Sequence, residues 1–534
     1  MAQCNVLYGP RTHVKLTEKN VAKLIIDKIT NNQQDHPLLI DGEETISNKR
    51  FLKLCRNLTW SLHTLGIDQD DVVALIAENS WKFCVTMVST FALGSPLHVL
   101  NPEYTYYEFK HLLELTQPKL VFCTYKSYNT ILKLKQELKY LRFIVLLDLD
   151  GEEQEAIPFD VAVNVEGVTQ QFFGVINPST QPVLIHNSSG TTGLPKAVKM
   201  THESYSFAYL YQLFDEYCYT KPHQNHLIYL PLFHGYGTYL MLSGLCVSNT
   251  TAVILKRFRP DDFFASISIY KIRSVNVVPT ILNFMANTSL DEKYNLDCLK
   301  EIVCSGAASR DVDNVKVCEK YGLKSVRNLY GMGEGVVCIT IMPPDEYRKG
   351  CIGKLYPERE LKVVDRKTGQ SLGPGKVGEL CVKNPTMAGY VNNLEKTVEA
   401  LDGDGYLYTG DAGYYDEEGY IYLVDRIKDL IKYKGFQVAP SELEILLLKH
   451  PSIKDVAVVG KPDERVGELP MAFVVRKMDE DVSEEQIHEY LKEFVSGNKR
   501  LHGGVKFVEA IPKNPTGKIL RTCLRQMVEE EHHI

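Results

Sequence analysis

Between Asn187 and Val198 the chain reads NSSGTTGLPKAV, so that Ser188, Ser189, Gly190, Thr191, Thr192 and Gly193 lead up to Lys196. Glycines let backbone N–H groups approach an anion closely, hydroxyls donate hydrogen bonds without charge, and a lysine neutralises phosphate, so the string suits a polyphosphate. It is not a P-loop. That pattern places Gly-Lys before Ser or Thr, whereas here Pro195 precedes Lys196 and Ala197 follows it. Further on stand LPLFHGYG (Leu230 to Gly237), YGMGE (Tyr330 to Glu334), YTGD (Tyr408 to Asp411), DRIKDLIKYKGFQVAPSELE (Asp425 to Glu444) and NPTGK ending at Lys518. Taken singly each has a plain reading: a surface loop, a core histidine, a turn aspartate, a solvated lysine.

Taken in order, these stretches resemble the adenylate-forming superfamily of acyl-CoA synthetases, 4-coumarate-CoA ligases and beetle luciferases, over most of the chain. IKYKGFQVAPSELE and RLHGGVKFVEAIPKNPTGK are most similar to its insect luciferase-like branch, which also contains plain fatty acyl-CoA synthetases. The resemblance implies that the loop from Ser188 to Gly193, with Lys196, wraps the β- and γ-phosphates of ATP. It implies that Tyr330 and Gly331 meet the adenine, that Asp411 accepts from the ribose hydroxyls with Arg426 beside it, and that Glu334 ligates Mg²⁺. Lys518 would bridge the carboxylate and the α-phosphate, and Lys428 would be the hinge about which the small domain rotates. Rotation would bring Lys432, Lys434 and Gly435 to the thiol approach, with Lys432 acting in the second half-reaction. His234 would gate the acyl pocket and orient the carboxylate, with Tyr236, Gly306 and Ala307 as pocket lining. ATP, Mg²⁺ and CoA as co-substrate are the implied cofactors.

The implied reaction is that of an AMP-forming acid-thiol ligase: a carboxylic acid becomes an acyl-adenylate, and transfer to CoA gives acyl-CoA, AMP and pyrophosphate. Two alternatives are a luciferase-type monooxygenase acting on an adenylated luciferin, and a weakly active nucleotide-binding relative. Gly333 supports the last, because the family has a phosphate-contacting Thr there; Asn328 for Gln and Ala197 for Gly are further departures. Val336, Val337 and Cys338 replace small hydroxyl residues and make one wall apolar, which favours an aliphatic acid, a fatty acid, over a polar heteroaromatic one.

These residues need a scaffold. Uniformly apolar runs at Val72 to Ile76, Leu120 to Cys123, Phe143 to Leu147, Ala252 to Leu255, Val275 to Val278 and Ile302 to Cys304 predict strands buried on both faces of layered α/β units. From Val363 the segments LKVVD, GELCV and GYIYLVD, separated by Gly-rich turns, predict an antiparallel β region. Pro440-Ser441-Glu442 opens a helix, and Ser483 with Gln486 forms a capping box ahead of Ile487, Tyr490, Leu491 and Phe494. The expected fold is α/β. A large N-terminal domain of layered α/β subdomains plus a β region (1–425) leads through a hinge (426–428) to a small mobile α+β C-terminal domain (429–534).

The 534 residues exceed one ordinary core, and 44% hydrophobic with 24% charged is the balance of a globular chain. A net charge of −7 gives no general attraction to nucleic acid. The 13 cysteines are scattered without CxxC or His/Cys spacing, so neither disulfides nor a zinc site is expected. No secretory signal, transmembrane segment or Ser-Lys-Leu ending is evident, which leaves a cytoplasmic or peroxisomal location.

Overall fold

The computed structural model describes residues 5–12, 18–32, 34–148, 155–188, 195–211, 221–246, 250–307, 309–433, 436–463, 466–478, 480–495, 497–514 and 517–532. Four sheets organise them. In the eight-stranded sheet, Val73–Ile76, Leu97–Leu100, Leu120–Cys123 and Phe143–Leu146 run parallel, and Pro182–Ser188 joins parallel to Leu97–Leu100. The first three of these strands are buried at every position, because helices cover both faces and leave no solvent side to require polar alternation. Lys196–Thr201 then returns antiparallel beside Pro182–Ser188, and the short strand Gly389–Tyr390 closes that edge. A four-stranded sheet pairs Asn225–Ile228, Thr251–Ile254 and Pro37–Asp41 in parallel, with Glu44–Ser47 antiparallel at its edge.

The largest sheet changes character along its width. Its parallel strands Ser274–Val277, Glu301–Cys304 and Val326–Met332 give way to antiparallel Glu360–Val364, Gly378–Lys383, Leu407–Tyr415 and Ile421–Arg426. The predicted strands therefore form within a residue of their expected bounds, and the Gly-rich turns do connect an antiparallel region. A large core joins helices and sheets of this N-terminal part.

The small C-terminal domain is built on a five-stranded sheet, of which Ile453–Asp463 and Gly467–Arg476 form the central antiparallel pair. Its helix Glu484–Lys492 carries the predicted capping box: Gln486 N–H donates to Ser483 Oγ, and Ser483 N–H donates to Gln486 Oε1 at 2.8 Å. The expected apolar stripe is shorter than its spacing suggests. Ile487 and Leu491 are buried, but the helix ends at Lys492 and Phe494 is 49% exposed. Helix Pro440–Leu447 has no side-chain cap of its own; Ser441 N–H donates instead to Asp425 Oδ2 at 2.8 Å, and Ser441 Oγ donates to the Val424 carbonyl at 3.0 Å. A carboxylate from the last strand of the large sheet thus occupies the favourable end of the small domain's helix dipole. Arg521 donates to both carboxylate oxygens of buried Glu444, at 2.6 and 2.8 Å, and ties the C-terminal helix to the same element.

No described helix is long and apolar enough to cross a membrane. Every described cysteine is a free thiol.

Candidate active site

Tyr330, Asp411 and Arg426 come from three strands of the large sheet. Antiparallel register sets Asp411 directly opposite Arg426, so carboxylate and guanidinium meet across the ladder. Arg426 Nε donates to Asp411 Oδ1 at 2.7 Å, and the Tyr330 hydroxyl donates to Oδ2 at 2.6 Å. Burial raises the Asp411 carboxyl above its ordinary value, while Arg426 and Tyr330 act in the opposite direction. Burial is the largest single influence on Arg426 and opposes its charge, but Asp411, Tyr330, Glu334 and Asp429 together outweigh it, and the guanidinium is held more firmly protonated than usual. The result is a fixed, partly sheltered charge pair with a phenol ring beside it.

Glu334 is 9% exposed. Its Oε1 accepts from the Tyr390 hydroxyl at 3.1 Å, and its carbonyl accepts from Met387 N–H at 2.7 Å. Lys196 opens the strand after the Ser/Gly/Thr loop and sets its Nζ 4.8 Å from the centre of the Tyr390 ring. Ser188 ends the preceding strand; Ser189, Gly190, Thr191, Thr192 and Gly193 lie outside the described residues. The loop's stem is fixed by a buried histidine. His98 Nε2 lies 3.0 Å from Asn187 Oδ1 and its Nδ1 lies 2.9 Å from Thr116 Oγ, while Asn187 Nδ2 donates to the Val99 carbonyl. With the amide nitrogen so engaged, Nε2 is the protonated nitrogen of the pair, and burial holds the ring neutral by lowering its pKa to about 4.

After Glu334 the chain turns through Val336 (φ 50°) and Val337 (φ 67°). Left-handed backbone is unfavourable for a β-branched residue, by about 1–3 kcal/mol each, and persists only where the surroundings impose it. Arg359, fully buried, imposes it here: it donates to the carbonyls of Gly335 and Cys338, which flank the two valines, and to that of Pro385, at 2.5–2.7 Å. Gly331 is required for the same turn, since a Cβ there would lie 1.4 Å from the Val337 carbonyl oxygen. Gly333 is different. It has no left-handed φ, and among the described residues a Cβ would meet nothing within 4 Å.

Val336, Val337 and Cys338 are all buried. Val337 faces Gly235, the first residue of helix Gly235–Leu245, whose N-cap is His234. His234 Nδ1 accepts from Tyr236 N–H at 3.3 Å. It keeps accessible surface although protein surrounds it; burial, then the nearby Lys518 cation, lower its pKa. Tyr236 is buried, with its hydroxyl donating to Asn276 Oδ1 at 3.0 Å. Gly306 and Ala307 are exposed in the turn after Glu301–Cys304.

Lys518 arrives from the small domain. Gly517, at φ 81°, packs so closely on Thr280 that a Cβ would lie 2.5 Å from its methyl group. Lys518 N–H donates to Asn514 Oδ1 at 2.8 Å, which closes the turn. Burial lowers the Lys518 pKa and the Arg426 cation adds to this, with Asp411 opposing. Lys428 is driven down to about 8, first by burial and then by Arg426. The fold thus gathers Tyr330, Asp411, Arg426, Lys428, Lys518 and His234 in one region. Lys432 stands apart, exposed on Ile431–Tyr433 with its N–H donated to Glu468; Lys434 and Gly435 lie outside the described residues. Sequence reasoning missed Tyr390, Arg359 and His98. Each acts on a partner at least 21 positions away, and the local sequence carries no signal of it.

Residues 26–391 match the AMP-binding enzyme family, and residues 442–518 match the AMP-binding enzyme C-terminal domain. A luciferin 4-monooxygenase of Photuris pensylvanica is 34% identical, over 99% of this chain and 99% of its own. The peroxisomal OPC-8:0-CoA ligase 1 of Arabidopsis thaliana is 37% identical, over 90% of this chain and 88% of its own. The crystal structure of ATP-bound MatB from Rhodopseudomonas palustris superposes with a TM-score of 0.87 at 25% identity, covering 96% of this chain and 99% of that one.

Proposed function

This chain belongs to the AMP-binding enzyme family, within the adenylate-forming superfamily, and on that premise we propose that it activates a fatty acid with ATP and passes the acyl group to CoA. The observation that carries the proposal is the approach of Lys518, from the small domain, to the Tyr330, Asp411 and Arg426 cluster of the large one. Asp411 accepts from the ribose hydroxyls, Tyr330 lies along the adenine with Gly331, and Lys196 with the Ser188 loop holds the outer phosphates. Lys518 draws the acid's carboxylate and the α-phosphate together. A carboxylate oxygen forms a bond to the α-phosphorus as the bond to the β-phosphate oxygen breaks, and pyrophosphate leaves. The thiol sulfur of CoA, its proton released to solvent, then attacks the acyl carbon, and AMP departs with the carboxyl oxygen.

Glu334 fits a Mg²⁺ ion delivered with the nucleotide. It is a single sheltered carboxylate, and the described residues include no cluster of three or more ligands that would cage a metal alone; magnesium commonly takes one or two carboxylates and completes its shell with phosphate and water. When bound, the ion would neutralise phosphate charge. His234 would orient the carboxylate, and the buried Val336–Cys338 wall beside its helix suits an aliphatic tail. Rotation of residues 429–534 about 426–428 would bring Lys432, Lys434 and Gly435 to the thiol. Free cysteines suit a reducing compartment, cytoplasm or peroxisome.

Carboxylate-dependent release of pyrophosphate from Mg-ATP, across short, medium and long fatty acids and aryl acids, with and without CoA, tests the reading. Turnover confined to fatty acids and requiring CoA supports it; no release with any acid overturns it. The luciferin 4-monooxygenase relatives favour a second reading, that the adenylate is oxidised with emission of light. Light on supplying a beetle luciferin with Mg-ATP and air would establish that, and darkness with rapid thioester formation would dismiss it.

Two further results are expected. A Cβ at Gly333 meets none of the described residues within 4 Å, and one added hydrogen bond from a Gly333→Thr hydroxyl to a charged phosphate is worth about 1.5–3 kcal/mol. Single-turnover adenylation should therefore quicken by roughly 10-fold or more; an unchanged or slower rate would show that the phosphates are already satisfied. The depressed Lys428 pKa, about 8, predicts that ATP affinity is full below that value and falls as pH rises through it, because the free protein loses a cation the polyanion needs. Calorimetry at pH 8 in buffers of different ionisation enthalpy should register proton uptake on ATP binding, and Lys428→Arg should diminish it. Proton release would contradict the assignment.

A further inference from the structure

Tyr390 is fixed between two chemically distinct arms of the site, and neither local sequence nor packing explains why it must be tyrosine. Its backbone is stitched to both. Gly389–Tyr390 pairs with the strand that Lys196 opens, setting Tyr390 opposite Val198, and Val391 N–H donates to the Ala197 carbonyl at 2.8 Å. Three residues earlier, Met387 N–H donates to the carbonyl of Glu334 at 2.7 Å. Tyr390 N–H is held by Thr397 Oγ at 3.0 Å, and Thr397 is itself anchored on the Asn393 carbonyl at 2.8 Å. The strap from Met387 to Asn393 thus has little freedom relative to either arm.

The side chain joins the same two arms a second time. Its hydroxyl donates to Glu334 Oε1 at 3.1 Å, while the Lys196 ammonium sits 4.8 Å from the ring centre, within cation–π range. One donor occupies only one of the roughly four lone-pair positions of a carboxylate, which leaves the others free to ligate. Phenylalanine would fill the same space and keep the ring under Lys196. Only the bond to Glu334 requires the hydroxyl.

We infer that Tyr390 is a positioning residue that sets the metal-binding carboxylate Glu334 and the phosphate-binding ammonium Lys196 in one fixed relation, so that a metal–nucleotide complex is received as a unit. The inference rests on the nucleotide reading proposed above. Partners of this kind, one bond removed from the ion, typically alter metal affinity by about 10- to 100-fold.

The test separates the two arms through Tyr390→Phe and Tyr390→Leu, using Mn²⁺ as the probe ion. ATP binding is measured by calorimetry in EDTA, and Mn²⁺ binding to the protein–ATP complex by electron paramagnetic resonance. Tyr390→Phe should weaken Mn²⁺ binding by about 10-fold and weaken metal-free ATP binding by distinctly less. Tyr390→Leu should weaken metal-free ATP binding as well. Wild-type Mn²⁺ affinity in Tyr390→Phe overturns the inference, as does an equal loss with and without metal. A wild-type protein that binds no ATP under either condition overturns the nucleotide reading and this inference together.

Discussion

Replacing Lys518 with alanine is expected to slow acyl-adenylate formation by roughly 10²- to 10³-fold, the effect of removing one preorganised donor from a developing charge. The reason is positional. The Gly517 turn is docked on Thr280 and closed by Asn514, so the backbone reaches the site before substrate arrives and only the flexible side chain has to find the phosphate. Its lowered pKa, from burial and from Arg426, reflects a place prepared for a negative partner. Transfer of an acyl group from supplied acyl-adenylate to CoA should stay near the wild-type rate, because the second step would use the face that carries Lys432. Rapid-quench measurement of each half-reaction decides the matter. Equal loss in both would refute the division of labour between the two faces.

Asp411→Ala should damage both stability and binding. Asp411 is 3% exposed and answers Arg426 and Tyr330 at once, while the Arg426 side chain stays 31% exposed; losing the charged acceptor costs about 1.5–3 kcal/mol, less than the breaking of a wholly buried pair, because water reaches the guanidinium left behind. A domain's whole stability is on the order of 5–15 kcal/mol, so the unfolding midpoint should drop visibly. Asp411→Asn keeps the shape and an acceptor for Tyr330 while removing the charge. It should fold and still bind ATP at least 10-fold more weakly, by loss of a charge-assisted bond worth about 1.5–3 kcal/mol. Unfolding curves and calorimetry with ATP would show this, and an alanine variant as stable and as tight-binding as the wild type would refute the role given to Asp411.

Much of the scaffold could be read from residues. Val73–Ile76 and Leu120–Cys123 are apolar throughout because both faces are covered, and continuous burial leaves its mark on every position of a strand. The capping box at Ser483 could be read because both its bonds join residues three apart. Phe494 marks the limit of the same reasoning. Its spacing continued the apolar stripe, but the helix ended first, and spacing has meaning only while the helical period lasts.

The sequence by itself determined the order of the elements and the family, and it nominated the side chains proposed to meet ATP, because these are carried by local composition and by short strings whose residues act near one another. Tertiary structure alone decided the partners. Arg359 lies between Glu358 and Glu360 and reads as one charge in a solvated run, yet it is fully buried and grips the carbonyls of Gly335 and Cys338. Tyr390 reads as one more aromatic after glycine, yet it meets Glu334 from 56 positions away. Contacts of this range depend on which strands become neighbours and in what register, and that is settled only when the whole sheet assembles and buries its faces.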